Sequence, residues 1–279
     1  MKINVAKSAG FCFGVKRALD LALKAAKSEV RIEMLGDIVH NEAVIKEIKK
    51  TGIRKIKQLS KGKDKTLLIR AHGVDTKTLQ KAKKLGYTII DATCPMVKEI
   101  HKITKASEKK GYKLIVIGDK NHDEVHGIIG QLKNKAIVID KSTNIPLKTI
   151  TTIKKATVVV QSTQNIDNVL KIVKILKKHI KNVKFFNTIC RPTATKQNEI
   201  RKLPLKNDLM IIIGSKTSAN TKRLYQISKS LNKNSYWIQS EKEIKSAWFK
   251  KIKSVGITAG ASTPDYTTQS VIKQIKKFT

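Results

Sequence analysis

The chain has 279 residues, 40% of them hydrophobic and 28% charged, which is enough to build sizeable cores in two or three domains. Lys and Arg number 58 against 21 Asp and Glu, yet aromatic residues are only 5% and no nucleic-acid-binding motif is present, so we expect a solvated lysine surface and no nucleic-acid partner. No apolar run approaches the roughly 20 residues of a membrane span, and the polar N-terminal segment does not fit a signal peptide, so we expect a cytoplasmic protein that is not bound to a membrane.

Apolar residues recur with strand-like and helix-like spacing in alternating segments. Strands are predicted over residues 2–7, 30–35, 66–70, 87–90, 113–117, 136–139, 157–160, 183–186, 209–213, 235–238 and 254–258. Helices are predicted over 15–26, 41–51, 76–85, 165–179, 195–203, 221–231, 241–249 and 264–277, with another after Pro95 and looser structure over 142–154. This alternation predicts an α/β fold with parallel sheets.

The spacing around the three cysteines repeats. Glycines follow Cys12, Cys94 and Cys190 at the same distance of 24 residues, at Gly36, Gly118 and Gly214. Polar residues follow the cysteines at 28 residues (His40, His122 and Ser218) and at 30 residues (Glu42, Glu124 and Asn220). A fixed spacing of this kind indicates three similar structural units.

The three units are assigned to residues 13–93, 94–189 and 190–279. The first two each end in a strand just before the next cysteine, whereas the third ends in its helix. The N-terminal segment 1–12 contains the strand that the third unit lacks, so we assign it to that unit. The expected architecture is three similar parallel-sheet α/β domains in a pseudo-threefold arrangement, with the cysteine loops at a central metal site.

Ligands of parallel sheets bind beyond the carboxyl ends of the strands, at the N-termini of helices. The polar residues of the repeat fall at such positions, as do His72, Ser162 and Ser262 in the later half of each unit. Neutral donors of this kind suit a phosphate or diphosphate. A carboxylate would repel phosphate, so we assign Glu124 to proton handling and Glu42 to the first turn of its helix.

An odd number of cysteines in a reducing compartment argues against a disulfide framework and for thiolates at one metal site. Three thiolates can bind zinc together with a histidine, or an iron–sulfur cluster with one iron left open. Their spacing does not choose between the two metals. A zinc-dependent hydrolase or lyase acting on a phosphorylated substrate therefore stays an alternative at this point. A basic nucleic-acid-binding protein, in which the cysteines have no shared role, is the other alternative.

Motifs along the whole chain resemble those of the 4-hydroxy-3-methylbut-2-enyl diphosphate reductase (LytB) family. They are Gly10-Phe11-Cys12-Phe13-Gly14-Val15, Val39-His40-Asn41, Ala71-His72-Gly73-Val74, Asp91-Ala92-Thr93-Cys94-Pro95, His122-Asp123-Glu124-Val125, Gln161-Ser162-Thr163, Asn187-Thr188-Ile189-Cys190, Gly214-Ser215-Lys216 through Asn220, and Thr258-Ala259-Gly260-Ala261-Ser262.

The resemblance implies a three-lobed fold around a [4Fe–4S] cluster held by Cys12, Cys94 and Cys190, with the fourth iron open to substrate. The implied reaction is the two-electron, two-proton removal of the allylic hydroxyl of 4-hydroxy-3-methylbut-2-enyl diphosphate. Its products are isopentenyl and dimethylallyl diphosphate, made in the methylerythritol phosphate route to isoprenoids. A ferredoxin or flavodoxin is the implied electron donor, and we expect a monomer.

The resemblance also implies roles for individual residues. Glu124 delivers protons with the help of Ser162, where the family usually has Thr and the hydroxyl is kept. The implied diphosphate-binding positions are His40, His72, His122, Ser218, Ala219, Asn220 and Ser262. The family usually has Ser at Ala219, so one contact and some affinity are expected to be lost. Asp119 stands in place of a common His, and Lys196 in place of a usual Arg, which removes a bidentate contact.

Overall fold

The computed structural model describes residues 1–27 and 31–278, along which strands and helices alternate. The strands are β1 (Lys2–Val5), β2 (Arg31–Leu35), β3 (Arg54–Ile56), β4 (Lys65–Ile69), β5 (Thr88–Asp91), β6 (Lys113–Ile117), β7 (Ile137–Ile139), β8 (Lys155–Val160), β9 (Asn182–Phe185), β10 (Leu209–Ile213), β11 (Ser235–Ile238) and β12 (Ser254–Ala259). The α-helices are α1 (Phe13–Ala26), α2 (Glu42–Lys50), α3 (Thr76–Lys84), α4 (Pro95–Lys109), α5 (Asp123–Ile129), α6 (Leu147–Ile150), α7 (Ile166–His179), α8 (Arg191–Ile200), α9 (Ala219–Leu231) and α10 (Asp265–Ile275).

The described strands form three parallel sheets of four strands each. Their orders are β3-β2-β4-β5, β7-β6-β8-β9 and β11-β10-β12-β1. The order is the same in all three when strands are numbered within each repeat: second, first, third, fourth. The α/β fold with three similar parallel sheets, predicted from the cysteine spacing, is therefore confirmed.

The fourth strand of the third sheet comes from the N-terminal segment. Strand β1 pairs in parallel with β12, with Lys2 opposite Ser254 and Val5 opposite Ile257. This pairing agrees with the expectation that the N-terminal strand supplies what residues 190–279 lack. It also brings the loop before Cys12 to the carboxyl end of β12, where the amide of Cys12 donates a hydrogen bond to the carbonyl of Ala261 at 3.0 Å.

The central strands are apolar because helices cover both of their faces. In β10, Leu209, Ile211 and Ile213 pack with Val271 and Ile275 of α10. The alternate residues Met210 and Ile212 pack on the other face with Leu224 and Ile227 of α9. Alternating side chains of one strand thus enter two separate cores, and the strand reads as one continuous apolar run.

The described chain divides into two compact units. One contains Met1–Lys16, Val39–Glu47 and the chain from Cys190 onward, and the other contains Arg17–Ile38 and Ile48–Ile189. The first, hereafter the C-terminal unit, holds the sheet of β1 and β10–β12, and the second, hereafter the central unit, holds the other two sheets. The three-domain division and the pseudo-threefold arrangement stay predictions.

Some local predictions differ from the structure. The helix predicted over 241–249 is wrong, since this segment forms two short 3₁₀ turns, Glu241–Glu243 and Ser246–Phe249. There the ring of Trp248 stacks on Tyr236 at 4.0 Å between centroids, and these ring contacts outweigh the helical spacing. The short strand β3 is basic and largely exposed, so no apolar pattern indicated it. Position 30, the predicted start of the strand that became β2, lies outside the described residues.

Candidate functional site

Each of the three cysteines directly precedes a helix. Cys94 and Cys190 occupy the N-cap positions of α4 and α8, with a proline in the first turn of each helix. Cys12 precedes α1, and its sulfur lies 3.5 Å from the amide nitrogen of Val15. All three side chains are half-buried. The N-terminus of a helix stabilises negative charge, so these positions suit sulfur that binds a metal as thiolate.

The backbone repeats around two of these cysteines. The amide of Cys94 donates to the carbonyl of Ala71, just after β4, at 3.0 Å, as the amide of Cys12 does to Ala261 after β12. Both acceptors follow the third strand of their sheet. The equivalence inferred from sequence spacing therefore extends to hydrogen bonds that hold the cysteine loops.

In the central unit, Glu124 and Ser162 form a buried pair. The backbone amide of Ser162 donates to Oε1 of Glu124 at 2.6 Å, and the Ser162 hydroxyl contacts Oε2 at 2.8 Å. The side chain of Glu124 is 2% exposed. Burial raises the pKa of Glu124, the two hydrogen bonds from Ser162 oppose this rise, and the charge of Asp119 adds to it. The structure thus brings together the two residues that were assigned to proton delivery.

Two predicted histidines lie beside that pair in the central unit. His122 is the N-cap of α5, where its Nδ1 accepts a hydrogen bond from the amide of Glu124 at 3.1 Å. This contact leaves Nε2 of His122 to carry the proton. The ring of His72 meets the ring of His122 edge to face, with centroids 5.5 Å apart. The two imidazoles are therefore in contact with each other, and one of them is bonded to the backbone of Glu124.

The other predicted diphosphate residues belong to the C-terminal unit. Ser218 is the N-cap of α9 and accepts a hydrogen bond from the amide of Thr221 at 3.3 Å. The hydroxyl of Ser262 donates to the backbone carbonyl of His40 at 2.9 Å, which brings those two positions together. Ala219, at the start of α9, is buried and has no polar side-chain atom to offer.

Asn220 is buried with its amide unmatched. Its side chain is 4% exposed, and neither Oδ1 nor Nδ2 finds a hydrogen-bond partner among the residues that the structure describes. Buried amides are nearly always paired, because an unpaired one loses its hydration without compensation. The side chain of Asn220 is therefore able to form hydrogen bonds with a polar ligand.

Glu42, the counterpart of Glu124 in the repeat, has a structural contact. It lies in the first turn of α2, as expected, and its Oε1 accepts a hydrogen bond from the hydroxyl of Ser215 at 2.8 Å. Its side chain is exposed, in contrast to that of Glu124. The two acids differ in burial and in their hydrogen-bond partners, and the spacing alone revealed neither difference.

The LytB protein family model matches residues 3–276 of the chain. The chain belongs to the LytB family. Its relatives include the 4-hydroxy-3-methylbut-2-enyl diphosphate reductase of Campylobacter fetus subsp. fetus (strain 82-40), 40% identical over 282 residues that cover 100% of this chain and 99% of the relative. The enzyme of the same name from Aquifex aeolicus (strain VF5) is 39% identical and is covered to 96%, against 99% of this chain.

Solved structures agree with this assignment. The structure of an (E)-4-hydroxy-3-methyl-but-2-enyl diphosphate reductase, described as the terminal enzyme of the non-mevalonate pathway, is 38% identical with a TM-score of 0.73, and the match covers 99% of this chain and all of the other. The corresponding reductase from Plasmodium falciparum is 29% identical with a TM-score of 0.89, covering 98% and 87%. The resemblance stated from the motifs is confirmed. Enzymes of the LytB family depend on iron–sulfur chemistry, which the cysteine positions described above fit.

One departure from the usual LytB residues, Asp119, has a visible consequence. Its amide is held by the side chain of Gln161 at 2.8 Å, and its negative charge adds to the rise of the Glu124 pKa. A histidine at this position would not supply that charge in its neutral form. Asp119 therefore favours the protonated form of Glu124.

The second departure is Lys196, which is 2% exposed. Its ammonium donates to the carbonyls of Ser8, Gly10 and Ala259. Burial lowers its pKa to about 8, and the negative charges of Cys12, Glu199 and Asp265 oppose that shift. The sequence showed only that a bidentate contact was lost, and gave no sign that three carbonyls would replace it.

In the described part of the chain, no helix combines the length and the apolarity required to cross a membrane.

Proposed function

We propose that the chain catalyses the reductive dehydroxylation of 4-hydroxy-3-methylbut-2-enyl diphosphate. The allylic carbon–oxygen bond breaks, two electrons and two protons are consumed, and the oxygen leaves as water. Isopentenyl and dimethylallyl diphosphate are the products, differing in which carbon receives the proton. The observation that carries this proposal is the buried pair of Glu124 and Ser162, in a chain that matches reductases of this name over its full length.

The proposed cofactor is a [4Fe–4S] cluster held by Cys12, Cys94 and Cys190, a ligand set that leaves one iron open. Their equivalent places in the repeat and their positions at helix starts support this assignment. When bound, the cluster would supply the electrons and a Lewis-acidic iron for the substrate hydroxyl. Zinc with the same thiolates is the alternative, and it cannot supply electrons.

The diphosphate would be bound by neutral donors. The proposed residues are His40, His72, His122, Ser218, Asn220 and Ser262, with Ala219 beside them. Ser218 uses only its oxygen to cap α9, so its hydroxyl hydrogen can point to a phosphate oxygen. Ser262 would turn its hydroxyl from the His40 carbonyl to the ligand. Ala219 has no donor, so this site should make one contact fewer than a site with Ser there.

Glu124 is the proposed proton donor. A buried carboxyl group with a raised pKa stays protonated nearer to neutral pH and can transfer its proton. Ser162 holds both oxygens and would pass the proton through its hydroxyl. The histidine ring of His122, capped on Nδ1, would turn its Nε2–H toward the substrate and not toward Glu124.

The electron donor is proposed to be a ferredoxin or flavodoxin, acting on a monomeric enzyme in the cytoplasm. Such donors are acidic, and the net charge of +37 would favour their approach. The proposed role of the lysine-rich surface is thus to attract an acidic protein, and not a nucleic acid.

Anaerobic purification followed by metal and sulfide analysis tests the proposal. We expect about four irons and four sulfides per chain, in line with one [4Fe–4S] cluster, broad visible absorbance, and conversion of the substrate with reduced methyl viologen. Cys→Ser at positions 12, 94 or 190 should abolish the colour. Zinc without iron would overturn the proposal.

Glu124→Gln should keep the cluster and lose at least about 100-fold in turnover, since general acid catalysis usually contributes that much. Glu99→Gln is the control, because Glu99 is exposed on α4 in the same unit. Wild-type turnover in Glu124→Gln would remove Glu124 from the mechanism.

A further inference from the structure

Helix α8 holds the loop that precedes Cys12. This helix begins directly after Cys190, and two of its side chains, Lys196 and Glu199, reach the backbone of residues 8–10. Oε2 of Glu199 accepts hydrogen bonds from the amide of Ser8 at 3.0 Å and from its hydroxyl at 2.5 Å. One helix therefore carries one cysteine at its start and holds the loop of another.

The contacts of Lys196 use all the hydrogen-bonding capacity of its ammonium group. A lysine has three N–H donors, and they meet three carbonyls, those of Ser8, Gly10 and Ala259, the latter two at 3.0 and 3.1 Å. Lysine is almost never fully buried without such compensation. Removal of this side chain would take a donor from all three carbonyls, of which that of Ala259 keeps the amide of Gly10 at 3.5 Å.

The held loop has little freedom of its own. Gly10 has φ +95°, and a Cβ at this position would lie 2.6 Å from Oδ1 of Asp265. Beyond it, the amide of Cys12 is bonded to Ala261. The backbone of the loop is therefore held by α8 at residues 8–10 and by the segment after β12 at Cys12.

The ammonium of Lys196 also brings positive charge to the loop of a cysteine, because it donates to the carbonyl of Gly10, two residues before Cys12. It interacts electrostatically with Cys12, and with Glu199 and Asp265. In a buried setting such an interaction is weakly screened. A positive charge beside a cluster ligand stabilises the reduced form of the cluster, which carries one more negative charge.

We infer that Lys196 and Glu199 are positioning residues: they fix Cys12 relative to Cys190, and Lys196 raises the reduction potential of the cluster that these cysteines hold. This inference rests on the proposed [4Fe–4S] site. It assigns part of the control of the reduction potential to a residue whose three N–H groups all donate to backbone carbonyls.

The test compares Lys196→Met, Lys196→Gln and Lys196→Arg with wild type after anaerobic reconstitution of the full chain. The readouts are the reduction potential from a dye-mediated titration and the rate of iron loss to a chelator. We expect Lys196→Met and Lys196→Gln to shift the equilibrium with a one-electron reductant about tenfold toward the oxidised cluster, about 59 mV. Both should lose iron at least fivefold faster. Lys196→Arg should keep the potential close to wild type, because it keeps the charge.

Lys202→Met is the matched control, because Lys202 is exposed just after α8 and should leave both readouts unchanged. Glu199→Gln keeps the lysine and weakens the hold on Ser8, so it should lose iron faster without a fall in potential. It also keeps the inference testable if Lys196→Met does not fold.

A wild-type potential in both Lys196→Met and Lys196→Gln would overturn the electrostatic part of the inference, and wild-type iron loss in all Lys196 and Glu199 variants would overturn the positioning part. Wild-type protein that binds no iron would instead overturn the proposed function.

Discussion

Glu124 shows how one environment sets the chemistry of a carboxyl group. Two hydrogen bonds from Ser162 favour its charged form, yet burial at 2% exposure outweighs them, and the pKa is raised. Glu42 has the same place in the repeat but an exposed side chain. The difference between a candidate acid catalyst and a helix-terminal charge is therefore one of burial.

Removal of the Ser162 hydroxyl should move the pH dependence of the reaction upward. Ser162→Ala removes one hydrogen bond that lowers the Glu124 pKa, so that pKa rises further. An acid catalyst loses activity as pH rises through its pKa, hence the alkaline limb of kcat against pH should shift to higher pH, with a lower plateau. Ser162→Thr, which keeps the hydroxyl, should keep the wild-type limb. An unshifted limb in Ser162→Ala would dissociate Ser162 from Glu124.

Replacement of the unpaired amide of Asn220 by an apolar side chain should stabilise the folded chain. Asn220→Leu keeps the branched arrangement of four side-chain heavy atoms and leaves no unpaired buried amide, so the chain without ligand should gain about 1 kcal/mol in free energy of unfolding. The KM for the diphosphate substrate should rise about tenfold or more. Asn207→Leu is the control, since Asn207 is hydrogen-bonded to Asn4 and Leu203 and its loss should destabilise. Urea unfolding and steady-state kinetics measure the two effects, and a destabilised Asn220→Leu would contradict the prediction.

The site residues that the sequence predicted are those with a repeated spacing or a motif: the cysteines, Glu124 with Ser162, and the polar positions 28 and 30 residues after each cysteine. Lys196 and Glu199 were not predicted as contacts, because most of their partners are backbone atoms, those of residues 8–10 and of Ala259. Every residue has a backbone carbonyl, so the sequence does not indicate which one will accept a hydrogen bond. A local pattern also cannot indicate a contact between residues that are nearly 190 positions apart.

At the level of elements, apolar runs predicted the central strands well. Strands such as β10 are buried on both faces, so every residue must be apolar. Segments whose structure depends on a few distant contacts were not predictable in this way. The 241–249 segment, with its stacked Trp248 and buried Phe249, is the example, since its helical spacing was overridden by ring packing.

Helix α3 depends on a single capping side chain that follows the His72 loop. Asp75 accepts hydrogen bonds from the amide of Thr78 at 2.8 Å and from its hydroxyl at 2.6 Å. Asp75→Ala should therefore lower the free energy of unfolding by about 1 kcal/mol, whereas Asp75→Asn should retain most of it. Chemical denaturation measures both. Equal losses in the two variants would mean that the charge, and not the cap, stabilises the helix.

On the scale of the whole molecule, His101 should contribute to acid sensitivity. Burial lowers its pKa from 6.5 to about 4, with Lys105 adding to the shift and Asp91 opposing it. The unfolded chain binds a proton as pH falls below 6.5, and the folded chain does so only near 4. The contribution of His101 to the free energy of unfolding is therefore fully present above pH 6.5. It is lost as pH falls toward 4, by up to about 3 kcal/mol.

His101→Gln should remove this part of the pH dependence in urea unfolding between pH 6.5 and 4. His179→Gln, which changes an exposed histidine at the end of α7, should keep the wild-type slope. The same slope in all three proteins would show that other groups cause the acid sensitivity.

The sequence repeat predicted three similar parallel sheets, because the same elements recur at a fixed spacing. It did not predict the order of their strands, since a short basic strand such as β3 has no apolar pattern. It could not predict that the described residues divide into two compact units. Such a division depends on how many contacts cross each boundary, and residue spacing does not report them.

The pairing of β1 with β12 has a consequence for how the protein is made. Residues 2–5 leave the ribosome first, but their partners at 254–257 are translated about 250 residues later. At 5–20 residues per second the N-terminal strand waits roughly 10 to 50 s for its neighbour. Cys12, the first cysteine to be synthesised, thus receives its hydrogen bond to Ala261 later than Cys94 receives its bond to Ala71. The fold that holds Cys12 in this place can therefore form only after nearly the whole chain has been synthesised.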